Sequence, residues 1–159
     1  MIGSLESLAG REWHGELHRA VVRRFMEAAI NRGNAAVAAG LLAESFVDHG
    51  GFLGERIEPG RFEDFAGRLR QAFPDGAYAI EDVIADSDKV VLRVTFTGTH
   101  GGAFRGSGPT LRRVRVTGVH IFRCEGARIL EHWAMESHRD LDARLATPTP
   151  AAACQAAIW

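Results

Sequence analysis

The apolar positions of this chain change their period once, near Tyr78. Upstream they recur every three or four residues, as on a helix face. Between Trp13 and Arg32, Leu17, Val21, Phe25 and Ala28 fall on one side, and Arg19, Arg23, Glu27 and Asn31 on the other. Gly33 is a natural stop, since glycine enters the left-handed region without a Cβ clash. Asn34 then has the side chain to cap a second helix, AAVAAGLLA. The stretch ESFVDHGGFLG turns Phe46 and Val47 inward and carries Asp48 and His49 to the edge of a glycine-rich loop. Pro59 suits the first turn of a third helix, whose Phe62, Phe65, Leu69 and Phe73 recur three or four apart before Pro74-Asp75-Gly76 ends it.

Downstream the period is two. Ala77 to Ala85 reads as a strand, and Asp86-Ser87-Asp88 as a turn. From Lys89 to His100, Val90, Leu92, Val94 and Phe96 share one face with His100, while Arg93, Thr95 and Thr97 take the other. After a glycine-rich connection, Thr110 to Cys124 places Val114, Val116, His120 and Phe122 on one parity and Arg113, Arg115 and Thr117 on the other. Gly118 marks a candidate bulge there. Arg128 to Ser137 forms the last strand, with Ile129, Trp133, Met135 and Ser137 on one face and His132, Glu136 and His138 on the other. A short helix is expected over 140–145.

Helices first and an antiparallel meander second is the α+β arrangement. The expected architecture is a single α+β barrel domain over 13–145, a cone-shaped curved sheet wrapped around the N-terminal helices. A lead-in occupies 1–12 and a proline- and alanine-rich tail 146–159, where Trp159 either docks on a neighbour or is exposed. The open end of such a cone is a natural site for a small apolar ligand.

Composition narrows the partners. A net charge of −1 over 159 residues argues against nucleic acid. No apolar run reaches the ~20 residues that span a bilayer, so no membrane role is expected. Two cysteines, Cys124 and Cys154, make no disulfide framework, and with no secretory signal pattern the expected compartment is the cytoplasm. No cofactor-binding glycine loop, CxxC or HExxH is present. His14 and His18 stand four apart, a metal-compatible spacing, but no third ligand accompanies them and an exposed helix face is the better account.

Three strings carry a resemblance. FMEAAINRGNAAVAAGLLAESFVDHG, IADSDKVVLRVTFTGTHGGAFRG, and RRVRVTGVHIFR followed by ILEHW resemble the helices, the Asp-His loop and the strands of the SnoaL-like polyketide cyclases, of the nuclear-transport-factor-2-like superfamily. The resemblance implies the cone fold, no metal or organic cofactor, and a homodimer or higher assembly packed through the sheet, where Arg93, Thr95, Thr97, Arg113 and Arg115 could serve. It also implies a flat, hydrophobic polyketide-type ketone as substrate. An acidic residue removes an activated C–H proton, and aldol closure follows. The position that resemblance assigns to the acid, downstream of the strand tryptophan, is held here by Ser137. The competing expectation is a non-catalytic module that binds small hydrophobic molecules. An isomerase, hydroxylase or hydrolase of the same fold is a third.

The candidate catalytic residues are therefore His120, His100, Ser137 and His49. Imidazole has the unperturbed pKa nearest neutrality, which suits proton abstraction beside a carbonyl. His120 reads either as a core histidine satisfied by a neighbour or as a pocket base. His100 sits at a strand end near the rim. Adjacent strand residues face opposite ways, so a direct Asp48–His49 dyad is not expected. Trp133, Phe122, Phe96, Asp48, Met135 and Phe65 are the expected ligand contacts, with Trp133 as a stacking wall. Alternation turns Glu136 away from that pocket, and only a bulge would bring it in.

Overall fold

The computed structural model describes residues 3–146. Its elements are α1 (Gly3–Arg24), α2 (Ala35–Leu41), β1 (Leu42–Asp48), α3 (Phe62–Ala72), β2 (Ala77–Asp86), β3 (Lys89–Thr99), β4 (Arg113–Glu125), β5 (Arg128–Glu136) and α4 (His138–Ala146). One five-stranded sheet has the order β1-β5-β4-β3-β2. The β2–β3, β3–β4 and β4–β5 pairs are antiparallel; β1 joins β5 in parallel, through a long connection that contains about half of the chain. The sheet curves around the helices as an α+β cone. The expected tail, with Cys154 and Trp159, lies outside the described residues.

The helical lead is longer than its pattern suggested, since α1 begins well before Trp13. It runs on as a wider π-helical segment, Phe25–Ile30. That change of pitch redirects the stripe. Val21, Val22, Phe25, Met26, Ala29 and Ile30 are buried, while Leu17 is exposed and Ala28 is only half-buried. Asn31, expected on the solvent side, instead holds the start of β2. Its amide donates to the Tyr78 carbonyl at 2.9 Å, and its oxygen accepts from the Tyr78 N–H at 2.8 Å. Gly33 turns the chain at φ +66°. Asn34 then caps α2 through the Val37 N–H at 3.0 Å, satisfying a donor that the first helical turn would leave unpaired.

Two sequence expectations fail in the connecting segments. Leu42–Asp48 is a strand, and Val47 points outward while Phe46 is buried. The third helix starts at Phe62, so Pro59 precedes it. Phe62, Phe65, Leu69 and Phe73 are buried as their spacing predicts.

Within the sheet, Val90, Leu92, Val94, Phe96, Val114, Val116 and Phe122 all face the core. The β3–β4 register is unbroken past Gly118, so no bulge lies there. Gly118 is needed for space instead. A Cβ at that position would stand 2.7 Å from Glu136 Cγ and 2.9 Å from the Met135 carbonyl oxygen. The irregularity sits in β5: Cys124 pairs with Ile129 but Arg123 pairs with Glu131, leaving Leu130 as an extra residue. A bulge inverts the inward parity. Ile129 and His132 are therefore both buried.

Candidate active site

That inversion settles which face of β5 meets the core. His132, Ala134 and Glu136 point inward; Trp133, Met135 and Ser137 point outward. Met135 is 70% exposed and Ser137 is exposed. The expected inner face Trp133-Met135-Ser137 is thus corrected. Position 137 cannot present a group to the interior, and the acid that enters it is Glu136.

Four buried side chains form one line. Asp48 Oδ1 lies 2.9 Å from His132 Nδ1. His132 Nε2 lies 2.9 Å from His120 Nδ1, and His120 Nε2 lies 3.1 Å from Glu136 Oε1. Strand register explains the placement. Asp48 is the direct partner of His132 across β1–β5. His120 stands opposite Ala134, whose two inward neighbours along β5 are His132 and Glu136. The small methyl of Ala134 lets the His120 ring reach both. Gly118 is the partner of Glu136 and leaves room for its side chain.

Both ends of the line are carboxylates rich in donors. Asp48 Oδ1 accepts from Gly50 N–H at 3.2 Å and Gly51 N–H at 2.8 Å, and Oδ2 from Ile57 N–H at 2.9 Å. Glu136 Oε1 accepts from the Tyr78 hydroxyl at 2.7 Å, and Oε2 from Leu53 N–H at 2.7 Å and from His138 Nε2 at 3.1 Å.

These contacts set the charges. Burial alone would push the Asp48 carboxyl up, but the hydrogen bond and charge of His132 and the backbone donors of Ile57 and Gly51 outweigh it and leave it lowered. Glu136 is likewise lowered: burial opposes, and the bond and charge of His120 with the donors Tyr78 and His138 prevail. Burial lowers His132, with Asp48 opposing. Burial, then the charge and hydrogen bond of Glu136, raise the Tyr78 phenol well above its ordinary range, so it is a hydrogen-bond donor at neutral pH.

A loop covers the line. Residues 49–61 connect β1 to α3, and Phe52 and Leu53 on it are fully buried. The Phe52 ring stacks on His132 with centroids 4.5 Å apart, lies 5.0 Å from His120, and meets the Tyr78 ring edge-on at 5.6 Å. The loop is pinned by the two terminal carboxylates, through the Gly50, Gly51 and Ile57 N–H groups on Asp48 and the Leu53 N–H on Glu136. Gly51 has φ +79°, and a Cβ there would meet the Glu55 carbonyl oxygen at 2.7 Å. On its far side, Ile57, Glu58, Pro59 and Gly60 border a groove of about 990 Å³ walled by Leu42, Phe46 and Phe62.

The other expected site residues stand apart. His49 faces outward, stacked on Trp133 at 4.8 Å, with its Nε2 3.3 Å from Glu131 Oε1. His100 is fully buried at the end of β3. Its Nδ1 accepts from the Thr110 N–H at 3.2 Å and lies 3.1 Å from the Thr110 hydroxyl, and its ring packs on Phe73 at 5.6 Å. It closes the base of the connection 100–112, and burial lowers its pKa. Phe122 lies against His132 at 4.6 Å, Phe96 against Tyr78 at 4.9 Å and Phe65 against Phe52 at 5.8 Å. Sequence reasoning missed Tyr78 and Phe52. Tyr78 is the one tyrosine of the chain and opens a strand on the core parity, a usable signal; nothing local marks Phe52.

His18 is buried and bonded to the Ser87 carbonyl through Nδ1 at 3.0 Å, while its neighbour His14 is exposed. Among the described residues, no group of three or more His, Cys, Asp or Glu is arranged to hold a metal ion. No described helix is long and apolar enough to cross a membrane. Cys124 is buried, its thiol pushed up to about 12 by burial and then by Asp88.

A model of the SnoaL-like polyketide cyclase family matches residues 20–142, a span that contains every member of the buried line. The chain belongs to the SnoaL-like polyketide cyclase family. Among solved structures it is similar to AclR, "a putative hydroxylase" from Streptomyces galilaeus, at 28% identity and TM-score 0.68, covering 80% of this chain and 93% of that one. It is similar to IdmH, "a putative polyketide cyclase" from Streptomyces antibioticus, at 25% identity and TM-score 0.68, covering 81% and 98%. A SnoaL-like protein from Jannaschia sp. CCS1 shares the fold at 19% identity and TM-score 0.72, covering 84% and 94%. No curated protein matches the chain. Within this family frame, the buried carboxylate–imidazole line is the chemistry that this SnoaL-like chain carries inside its cone.

Proposed function

We propose that this SnoaL-like protein is an acid–base enzyme acting on a flat, hydrophobic ketone of the polyketide class, without an organic cofactor. Glu136 is the base, and His120 and Tyr78 are the donors for the enolate oxygen. The observation that carries the reading is the convergence of Tyr78, His120 and His138 on one buried carboxylate. Structural cores rarely assemble so many titratable groups without use, because each must be desolvated.

In the closed arrangement Glu136 accepts four hydrogen bonds, which weakens it as a base. Withdrawal of the loop toward the adjoining groove removes the Leu53 N–H from Glu136 and the Phe52 ring from His132. The freed slot is ring-sized and walled by His132, His120, Tyr78, Phe65 and Phe25, a shape suited to a planar aromatic. Loss of one donor raises the basicity of Glu136 when a substrate ring takes the place of Phe52. Glu136 then removes the activated C–H proton, and Tyr78 and His120 hold the charge that develops on oxygen. His100, His49 and Ser137 take no part in this scheme, and Trp133 and Met135 belong to the outer sheet face.

The test is a binding screen of anthrone- and anthraquinone-type polyketides, with product analysis by mass spectrometry and NMR. Ring closure supports the cyclase reading, and a gain of oxygen the hydroxylase one. Tight binding without conversion returns the protein to the ligand-binding alternative.

We also read the outer sheet face as the contact with a second copy. Val47 and Met135 are exposed there beside Trp133, whereas Arg93 and Arg113 of the expected interface are occupied with Asp82 and Asp75. Sedimentation of wild type and Met135→Glu checks this; a dimer indifferent to the charge rejects that surface.

A further inference from the structure

Resting on the reading that Glu136 handles a substrate proton, we propose that His138 is the port through which the buried line exchanges protons with solvent. The line itself is sealed. The side chains of Asp48, His132 and His120 are 0% exposed and that of Glu136 is 3% exposed, but that of His138 is 30% exposed. Its Nε2 lies 3.1 Å from Glu136 Oε2. Four donors reach Glu136: Tyr78, His120, the Leu53 N–H and His138. Only His138 both meets water and has a side chain that can take up a proton at one ring nitrogen and release one from the other. The chain Asp48–His132–His120–Glu136–His138 is therefore continuous from core to surface, with hydrogen bonds of 2.9, 2.9, 3.1 and 3.1 Å.

His138 owes its place to the junction of β5 and α4, where it opens the helix two residues after Glu136. Its Cε1 packs against Gly54 of the covering loop, 3.4 Å from where a Cβ would stand. Arg105 reaches the same Gly54 and is paired with Asp142 at 2.9 Å. The charged groups placed at the port are Glu136 and the Arg105–Asp142 pair.

The transfer balances. When the substrate C–H bond breaks, its electron pair stays on the substrate as the enolate and its proton passes to Glu136. His138 first exchanges its Nε2–H through water for the Nδ1–H tautomer. Glu136 then gives the substrate proton to the freed Nε2, and the imidazolium formed releases its Nδ1 proton to water, which restores the Nε2–H donor to the carboxylate. The reverse sequence supplies a proton to the product.

The port is testable without turnover. In uniformly ¹⁵N-labelled protein, the ring N–H protons of His120 and His132 report exchange with water by NMR, and the Leu53 amide reports loop opening in the same sample. His138→Gln keeps a donor for Glu136 Oε2 but cannot pass a proton. Exchange of the His120 ring proton is expected to slow by at least about tenfold while the Leu53 amide is unchanged. His138→Ala is expected to be slowed too, and restored by added imidazole. Unchanged ring exchange in His138→Gln overturns the proposal. So does parallel slowing of the Leu53 amide, which would mean that ring exchange follows opening of the loop rather than passage through His138, or failure of imidazole to restore His138→Ala. Because the readout needs no substrate, absence of polyketide conversion bears on the enzyme reading alone.

Discussion

The His120 ring stands between His132 and Glu136, 2.9 Å from the one and 3.1 Å from the other. This fixes a proton count. Each of the three hydrogen bonds along Asp48–His132–His120–Glu136 needs one proton, and Asp48, which accepts from three backbone N–H groups, supplies none. Two neutral imidazoles hold two protons, so a third is shared along the line. Two carboxylates, two neutral rings and this one further proton leave the line at a net −1. Such a line holds a mobile proton beside any ligand that displaces Phe52.

Glu136→Gln keeps the shape but ends the basicity. Turnover of a converted polyketide is expected to fall by about 10²–10⁴, while Ser137→Ala, on the outer face, leaves it unchanged. Steady-state kinetics of the two variants side by side checks the assignment. Equal losses would return the base to position 137.

His120→Ala removes the centre of the line. It strands the His132 Nε2 and leaves Glu136 Oε1 with the Tyr78 hydroxyl as its remaining donor, so stability drops by about 1–3 kcal/mol. Turnover falls as well. Loss of thermal stability with unchanged specific activity would make His120 purely structural.

Asp48→Asn leaves His132 and three backbone N–H groups facing an amide that carries no charge. Removing the charge that a buried hydrogen-bond network is built on costs about 1.5–3 kcal/mol. The urea midpoint is the measurement. The loop 49–61 should also exchange its amides faster in this variant, because Gly50, Gly51 and Ile57 lose their anchor.

Acid should unfold the protein early. Asp48 and Glu136 have folded-state pKa values below their ordinary ones, so their contribution is present above the ordinary carboxylate range and is lost as pH falls through the folded values. His132 is lowered from 6.5, so the unfolded chain binds its proton first and stability begins to decline as pH drops below about 6.5. All three act in one direction. Thermal midpoints between pH 8 and pH 4, with His132→Gln as the comparison, should show the first part of the decline flattened in the variant.

Gly118→Ala forces a methyl against Glu136 Cγ and the Met135 carbonyl. Overpacking of this kind costs about 1–3 kcal/mol, and it displaces the one carboxylate that Tyr78, His120 and His138 share. Weaker ligand binding with a lowered melting temperature is the expected pair of results.

The periodicities alone determined much of this protein. The switch near Tyr78 divided helices from meander, and the alternations Val90-Leu92-Val94-Phe96 and Val114-Val116-His120-Phe122 placed His120 inside, because a strand of period two has only two faces. Asn34 was legible as a cap, and the strings around Asp48-His49, HIFR and ILEHW carried the family. Tertiary structure decided the rest. One extra residue at Leu130 reversed the parity of β5, bringing in His132 and Glu136 and turning out Trp133, Met135 and Ser137. Alternation cannot register a bulge, since its cause is the pairing with β4 rather than any local preference. The parallel pairing that sets Asp48 against His132 joins residues 84 positions apart. Phe52 becomes the cover of the line only because Asp48 and Glu136 hold its loop from either side.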